Sequence, residues 1–302
     1  MNARRAPTTR SRRTAPARTP LPDFRALLLG SLDERWRTFR TELKRCQKKY
    51  SEASVHDLRV ASRRLISTLD LIASVDPEGN HRKTRRALKR PLQAFSPLRD
   101  VQVQLLAVDQ MLPSFPELQR FYGYLMGRER GLVQRLSGAV KRIKIAKIRQ
   151  AIGTTARRVE ALLDTPEKLR EQRGEALSAV GTAFSRVVER QLAVDPTDAA
   201  TIHRVRVAFK KFRYMVEALA PLLKWVTRKR LKAMNAFQGS MGDIQDAEVI
   251  LQSVQAFARK RGQKGHTSLA RAQEELARRR TALIEDFLGS AKTLYTFWKP
   301  AL

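Results

Sequence analysis

A single cysteine, Cys46, in 302 residues excludes an intramolecular disulfide framework and any thiolate metal cluster. It is expected to pack as a small core residue. Acidic residues are scarce too: 29 Asp and Glu stand against 60 Lys and Arg, giving a formal net charge of +31 and a pI near 11.3. Self-repulsion on that scale works against a compact chain, so a polyanionic partner is expected. Nucleic acid, an anionic lipid surface and polyphosphate all qualify. No apolar run reaches the length of a membrane span, and the N-terminal stretch has no secretory apolar core. A cytoplasmic location is the expectation. β-Branched residues never alternate for long, which leaves no strand, and no Walker-type glycine loop occurs.

What remains is helix after helix. Residues 1–22, rich in Arg and Pro and free of acids, read as a disordered basic tail. Phe24, Leu27, Leu28, Leu32, Trp36, Phe39 and Leu43 then recur at helical spacing through Tyr50. A second helix starts around Ser54, with Asp57 as its capping-box partner, and ends near Asp76-Pro77. A basic helix follows from His81 to Phe95, and Ser96-Pro97 starts another that runs to Met111. The spacing predicts helix from Glu117 to Asp164 with a break near Ser137-Gly138, and Thr165-Pro166 marks the halfway point. The second half predicts helices over about 167–193, from Asp195-Pro196 to Pro221, and over 222–238, 243–260 and 267–297. A loop at Gly262–Gly265 separates the last two.

Two segments organise this pattern. Val55–Leu65 and Ile202–Tyr214 share apolar, His, any, apolar, Arg, Val, Ala, any, basic, basic, apolar. A repeat this long marks duplicated halves, about 23–164 and 165–300, and not a short-repeat solenoid. Within the first segment Val55, Leu58, Ser62 and Leu65 form one stripe. His56, Arg59 and Arg63 form another, about 130° around the helix. Ile202, Val205, Phe209 and Phe212 mirror the first stripe, and His203, Arg206 and Lys210 the second, which Arg213 extends by a turn. Leu98–Gln102 and Met241–Gln245 match as well, so related antiparallel bundles are expected.

Cations at i, i+4 and i+7 suit successive phosphates: Arg grips them with forked donors, Lys adds point charge, and His can donate to an oxyanion. A solvated basic face is the plain alternative, which the duplication weighs against. Paired histidines without Cys or a neighbouring His make a poor metal set, and no carboxylate is placed to orient both imidazoles for phosphoryl transfer. Asp100 and Asp243 are expected near helix starts, either complementing the dipole or holding a motif Arg. The Phe residues sit at core spacings and leave no interleaved stacking platform for bases, so a ligand with phosphates but no bases is favoured over nucleic acid.

At these residues the chain resembles the CHAD family, the conserved histidine α-helical domain. Segments 55–65 and 202–214 are similar to its two signature helices, and Leu98–Val101 and Met241–Asp246 to its second landmark. The resemblance covers about 23–300. It implies an all-α domain of two four-helix bundles related by a pseudo-twofold axis, whose basic central channel binds inorganic polyphosphate and which associates with polyphosphate granules. Carried over by position, the contacts would be His56, Arg59, Arg63, Arg64, His203, Arg206, Lys210, Lys211, Arg213 and Tyr214. Arg86, Lys89, Arg90 and Lys232 would form an outer rim. No enzyme activity, cofactor or metal is expected; non-specific nucleic-acid binding and His-dependent phosphoryl transfer are the alternatives. Ile66 stands where the second copy has Arg213, so the second half is expected to hold the ligand more tightly.

Overall fold

The computed structural model describes residues 23–141 and 143–299; the tail expected at 1–22 lies outside them. The described residues are all-α. The helices are α1 Phe24–Lys48, α2 Glu52–Val75, α3 His81–Ala94, α4 Ser96–Met111, α5 Gln119–Lys141, α6 Ile145–Leu162, α7 Pro166–Leu192, α8 Ala199–Leu219, α9 Arg228–Arg259 and α10 Gly262–Ser290. Short 3₁₀ turns follow at Pro116–Leu118, Ala220–Leu222 and Ala291–Thr296.

Local chemistry sets the boundaries. Ser51, not Ser54, caps α2: its hydroxyl accepts from the Ser54 amide, while the Ser54 hydroxyl turns back to the Lys49 carbonyl. Likewise Asp198 caps α8, because Asp195 is already committed to the Thr197 amide and hydroxyl in the preceding turn. The break expected near Ser137-Gly138 falls instead between Lys141 and Ile145. In the second half α9 runs unbroken through 239–242, where two helices were expected. The first half breaks at the corresponding place because Pro97 opens α4; the second half carries no proline there. The loop expected at 262–265 is reduced to a tight turn at Arg261-Gly262, where Gly262 takes φ +64°, the left-handed region that glycine enters without cost.

Helix pairs α1/α2 and α7/α8 are hairpins, and they pack on one another. Their apolar stripes make the larger core, from Leu28, Trp36 and Phe39 of α1 to Val55, Leu65 and Ile72 of α2 and Phe209 and Phe212 of α8. Rings interlock there: Phe209 lies 5.1 Å from Phe237 and 5.7 Å from Phe297, in tilted or edge geometries that add to plain area burial. Cys46 is fully enclosed in this core, and burial pushes its thiol up to about 11, an unreactive state. A second core joins Val108, Phe121 and Leu125 of α4 and α5 to Leu251 and Val254 of α9 and to Leu269 and Leu276 of α10. Each core therefore draws on both halves of the chain.

One buried polar cluster pins α2, α3 and α6 together. Asp76 accepts from Arg158 Nε and Nη2 at 2.8 and 2.7 Å and meets His81 Nε2 at 3.1 Å. The Arg158 hydrogen bonds hold its carboxyl below the usual range, with His81 adding to the effect. Gly79 packs directly on this pair, and a Cβ there would fall 1.9 Å from His81 Nε2 and 2.4 Å from Asp76 Oδ2. Gly79→Ala is expected to break the cluster and cost about 2–4 kcal/mol. Urea unfolding measures it, and a loss below about 0.5 kcal/mol would show that the cluster yields.

Candidate anion-binding site

Helices α2 and α8 meet in the middle of the molecule, and the two His–Arg stripes lie along that seam. The helical count that put Arg59 and Arg63 on a flank holds, but the flank is enclosed by neighbouring helices. Arg59 is 9% exposed and Arg63, Arg206 and Lys210 are half-buried. The four cations sense one another across the two halves. Burial first, then Arg63, Arg206 and Arg59, pushes Lys210 down to about 6. Burial and the neighbouring Arg63 bring Arg59 down to about 10. Arg63 and Arg206 are also lowered, mainly by burial.

None of the four makes an ion pair among the described residues. Arg59 Nη1 donates to the Leu92 carbonyl at 3.0 Å and to Ser96 Oγ at 2.8 Å, neutral acceptors at the end of α3, where a cation complements the helix dipole. Arg206 lies over Gly242 of α9, its Nη2 3.4 Å from where a Cβ would stand. Its Nε is buried with no hydrogen-bond partner. An enclosed cation without a carboxylate is costly to keep, and an arriving anion offsets that cost.

The other predicted residues divide. His203 is half-buried beside Arg206 and hydrogen-bonds Gln245, and its buried Nδ1 has no partner. Its pKa is lowered by burial and then by Arg206. His56 presents an exposed residue surface at the other end of the seam, and its pKa is lowered by partial burial of the ring and by Arg99. Arg213 and Tyr214 turn inward, each 5% exposed. Arg213 pairs with Glu217, donates to Gln238 Oε1 at 2.9 Å, and stacks over the Tyr214 ring at 4.6 Å. Its Nε and Nη1 are engaged within the protein, so the Arg213–Ile66 difference by itself gives little reason for tighter binding by the second half. Arg64 pairs with Glu217 at 3.4 Å, and Lys211 approaches Asp70 at 4.0 Å, an acid that also holds Arg85 at 3.1 Å. Arg86 and Lys232 are exposed, Lys89 is half-buried, and Arg90 lines a separate cleft beside α6.

Three acids and a further arginine complete the neighbourhood. Burial raises Asp100 and Asp246 above the usual carboxylate range, against the pull of Arg59 and Arg206 respectively. Asp243 adds to the field at Arg206 from mid-helix in α9, not from the helix start expected for it. Arg99 pairs with Glu52 and contributes to the field at Arg59, Arg63 and Asp246. Arg99 and Asp246 were not singled out as site residues. The signals that pointed near them were the internal match of Leu98–Gln102 with Met241–Gln245 and the family resemblance at Leu98–Val101 and Met241–Asp246, on the helices α4 and α9 that come to the seam. Among the described residues no group of three His, Cys, Asp or Glu side chains could hold a metal ion, and no helix is long and apolar enough to cross a membrane.

The fold and the seam describe a helical domain built around cations contributed by two equivalent helices. The chain belongs to the CHAD domain family, whose model matches residues 30–255. CHAD domains are non-catalytic, and the chain is assigned no enzymatic activity. It is similar in structure to the CHAD domain from the plant Ricinus communis, with a TM-score of 0.64, 19% identity, and 94% of this chain and 95% of that one covered. PptA from Streptomyces chartreusis is similar over 90% of this chain and 99% of its own, with a TM-score of 0.53 and 16% identity. At these identities the likeness is one of fold. No curated protein matches the chain.

Proposed function

We propose that this protein binds inorganic polyphosphate along the α2–α8 seam, in a basic channel between two four-helix bundles related by internal pseudo-twofold symmetry, and that it associates with polyphosphate granules in the cytoplasm. The observation that carries this reading is the cluster of Arg59, Arg63, Arg206 and Lys210, none of which forms an ion pair among the described residues although Asp100, Asp243 and Asp246 lie in its field, and in which the Arg206 Nε has no partner. A chain of phosphates supplies closely spaced acceptors to all four without needing bases or a shaped head group. His203, once protonated beside the bound phosphates, would add a donor through Nδ1. Arg64, Lys211, His56, Arg86, Lys89 and Lys232 would extend the path outward, while Arg213 and Tyr214 brace the helix that presents it.

Nucleic acid has the net charge in its favour, but the aromatic side chain nearest the seam, Tyr214, is buried and covered by Arg213. Stacking, the contact that single-strand binders add to charge, has no platform there. Competition separates the two. Long-chain polyphosphate bound to the full chain should resist displacement by single-stranded DNA of equal total charge, with and without residues 1–22. Displacement at equal charge concentration would overturn the reading, and chemical change in either ligand or protein on incubation would point to phosphoryl transfer instead.

A further inference from the structure

A second feature lies on the other side of α3 from the seam. Helices α3 and α6 enclose a cleft of about 1100 Å³. Its floor is apolar, with Ala87 and Pro91 from α3 and Phe95 just after it facing Ile143, Ile148 and Ala151. Its walls carry Lys83, Arg90, Lys144, Lys147 and Arg158, and among the described residues Glu78 is the one acid that lines it. None of the four seam cations does so.

The cations are distributed in a way that selects the occupant. Arg158, late in α6, is held by Asp76 just before α3, so the two helices run antiparallel. Lys83 therefore marks one end, beside Arg158 that Asp76 already holds, and Arg90, Lys144 and Lys147 mark the other. Along the 14 residues of α3 the cleft extends about 21 Å. A single-chain lipid carries its charge at one end and would leave Lys83 at the far end unmatched. A bare polyanion would gain nothing from the apolar floor. A helix with acids along its flanks and leucine-like residues at i, i+3, i+4 and i+7 matches both the length and the charge.

We propose that the α3–α6 cleft is a docking groove for an acidic amphipathic helix of a partner protein, leaving the seam free to hold polyphosphate at the same time. The probe is a synthetic 14-residue helix of Glu and Leu in that pattern, titrated by fluorescence anisotropy against the full chain saturated with long-chain polyphosphate. Saturable binding is expected, with hydrogen-exchange protection confined to residues 83–95 and 143–158. Lys144→Glu with Lys147→Glu, both on the exposed rim, and Ala151→Glu in the floor should each weaken it at least tenfold without lowering polyphosphate affinity. Equal binding of a scrambled peptide of the same composition would overturn the proposal, as would displacement of the peptide by added polyphosphate. Stoichiometric competition by laurate or a lysophosphatidate would make the occupant a small amphiphile. Because the peptide and polyphosphate are read separately, this proposal can fail while the seam reading stands.

Discussion

Arg206→Glu is expected to weaken long-chain polyphosphate binding by at least about 100-fold at low salt while leaving the helical fold intact. The residue makes no ion pair and its Nε is already without an acceptor, so the interactions it loses within the protein are the longer-range ones with Asp246 and Asp243. Replacing a buried cation by an anion removes a charge-assisted contact and adds repulsion toward the same phosphates, together about 3–5 kcal/mol. Relief of the crowding with Arg63 and Lys210 offsets part of the folding cost of the buried glutamate, to which Asp246 and Asp243 add repulsion. Arg59→Glu should lose affinity too, but for a mixed reason. It strips the Leu92 carbonyl of one of its two side-chain donors, leaving Ser96 Oγ, and sets a carboxylate against the C-terminal end of α3, so melting temperature should fall alongside affinity. Salt dependence gives a second readout. Four cations on successive phosphates imply a slope of log affinity against log salt near −3, and one reversal should reduce its size by about 1. Arg206→Glu binding within threefold of the unmodified protein would remove the seam as the site.

Much of this architecture could be read from residue spacing, because helices announce themselves through stripes that each residue carries locally. Val55, Leu58 and Leu65, and Val205, Phe209 and Phe212, are buried where the 3.6-residue period places them. The duplicated His–Arg stripes do meet, on helices from the two halves. What spacing cannot see is the partner across the interface. Arg213 sits on the cationic row by helical count, yet Glu217 one turn on and Gln238 from α9 draw it inward. Arg90 lies among basic residues that look alike in sequence, but the rotation of α3 turns it toward α6 and away from the seam. The continuity of α9 was obscured by analogy, since the first half breaks where it has Pro97 and the second half does not. Arg99 and Asp246 come to the seam only through the packing of α4 on α9, a contact between residues far apart in the chain.

Lys210 should control both stability and the pH dependence of binding, in opposite senses. In the free protein its ammonium is pushed from 10.5 to about 6 by burial and by Arg63, Arg206 and Arg59. Between those values the unfolded chain holds a proton that the native state has released, so native stability rises as pH increases from about 6 toward 10.5. Lys210→Met removes this slope, and below the window, where the native lysine is charged, it should stabilise the protein by about 1–3 kcal/mol. Binding runs the other way. Phosphates beside Lys210 favour its charged form and raise its pKa, so the complex takes up a proton that the free protein lacks. Affinity should then fall by up to about tenfold per pH unit as pH rises above 6, until the bound lysine itself deprotonates. His56 and His203 are both lowered from 6.5 and titrate on the acid side, which leaves pH 7 to 9 to the lysine. Over that range the internal phosphates of a long chain keep a constant charge. Lys210→Arg stays protonated and should bind with a nearly flat profile, while Lys210→Met should bind weakly at every pH yet melt later than the unmodified protein near pH 6. Isothermal titration in two buffers of different ionisation enthalpy reads the proton uptake directly. An unchanged pH slope in Lys210→Arg would assign the titration to another group, and a lower melting temperature for Lys210→Met would mean that the lysine stem contributes more by packing than its charge costs by repulsion.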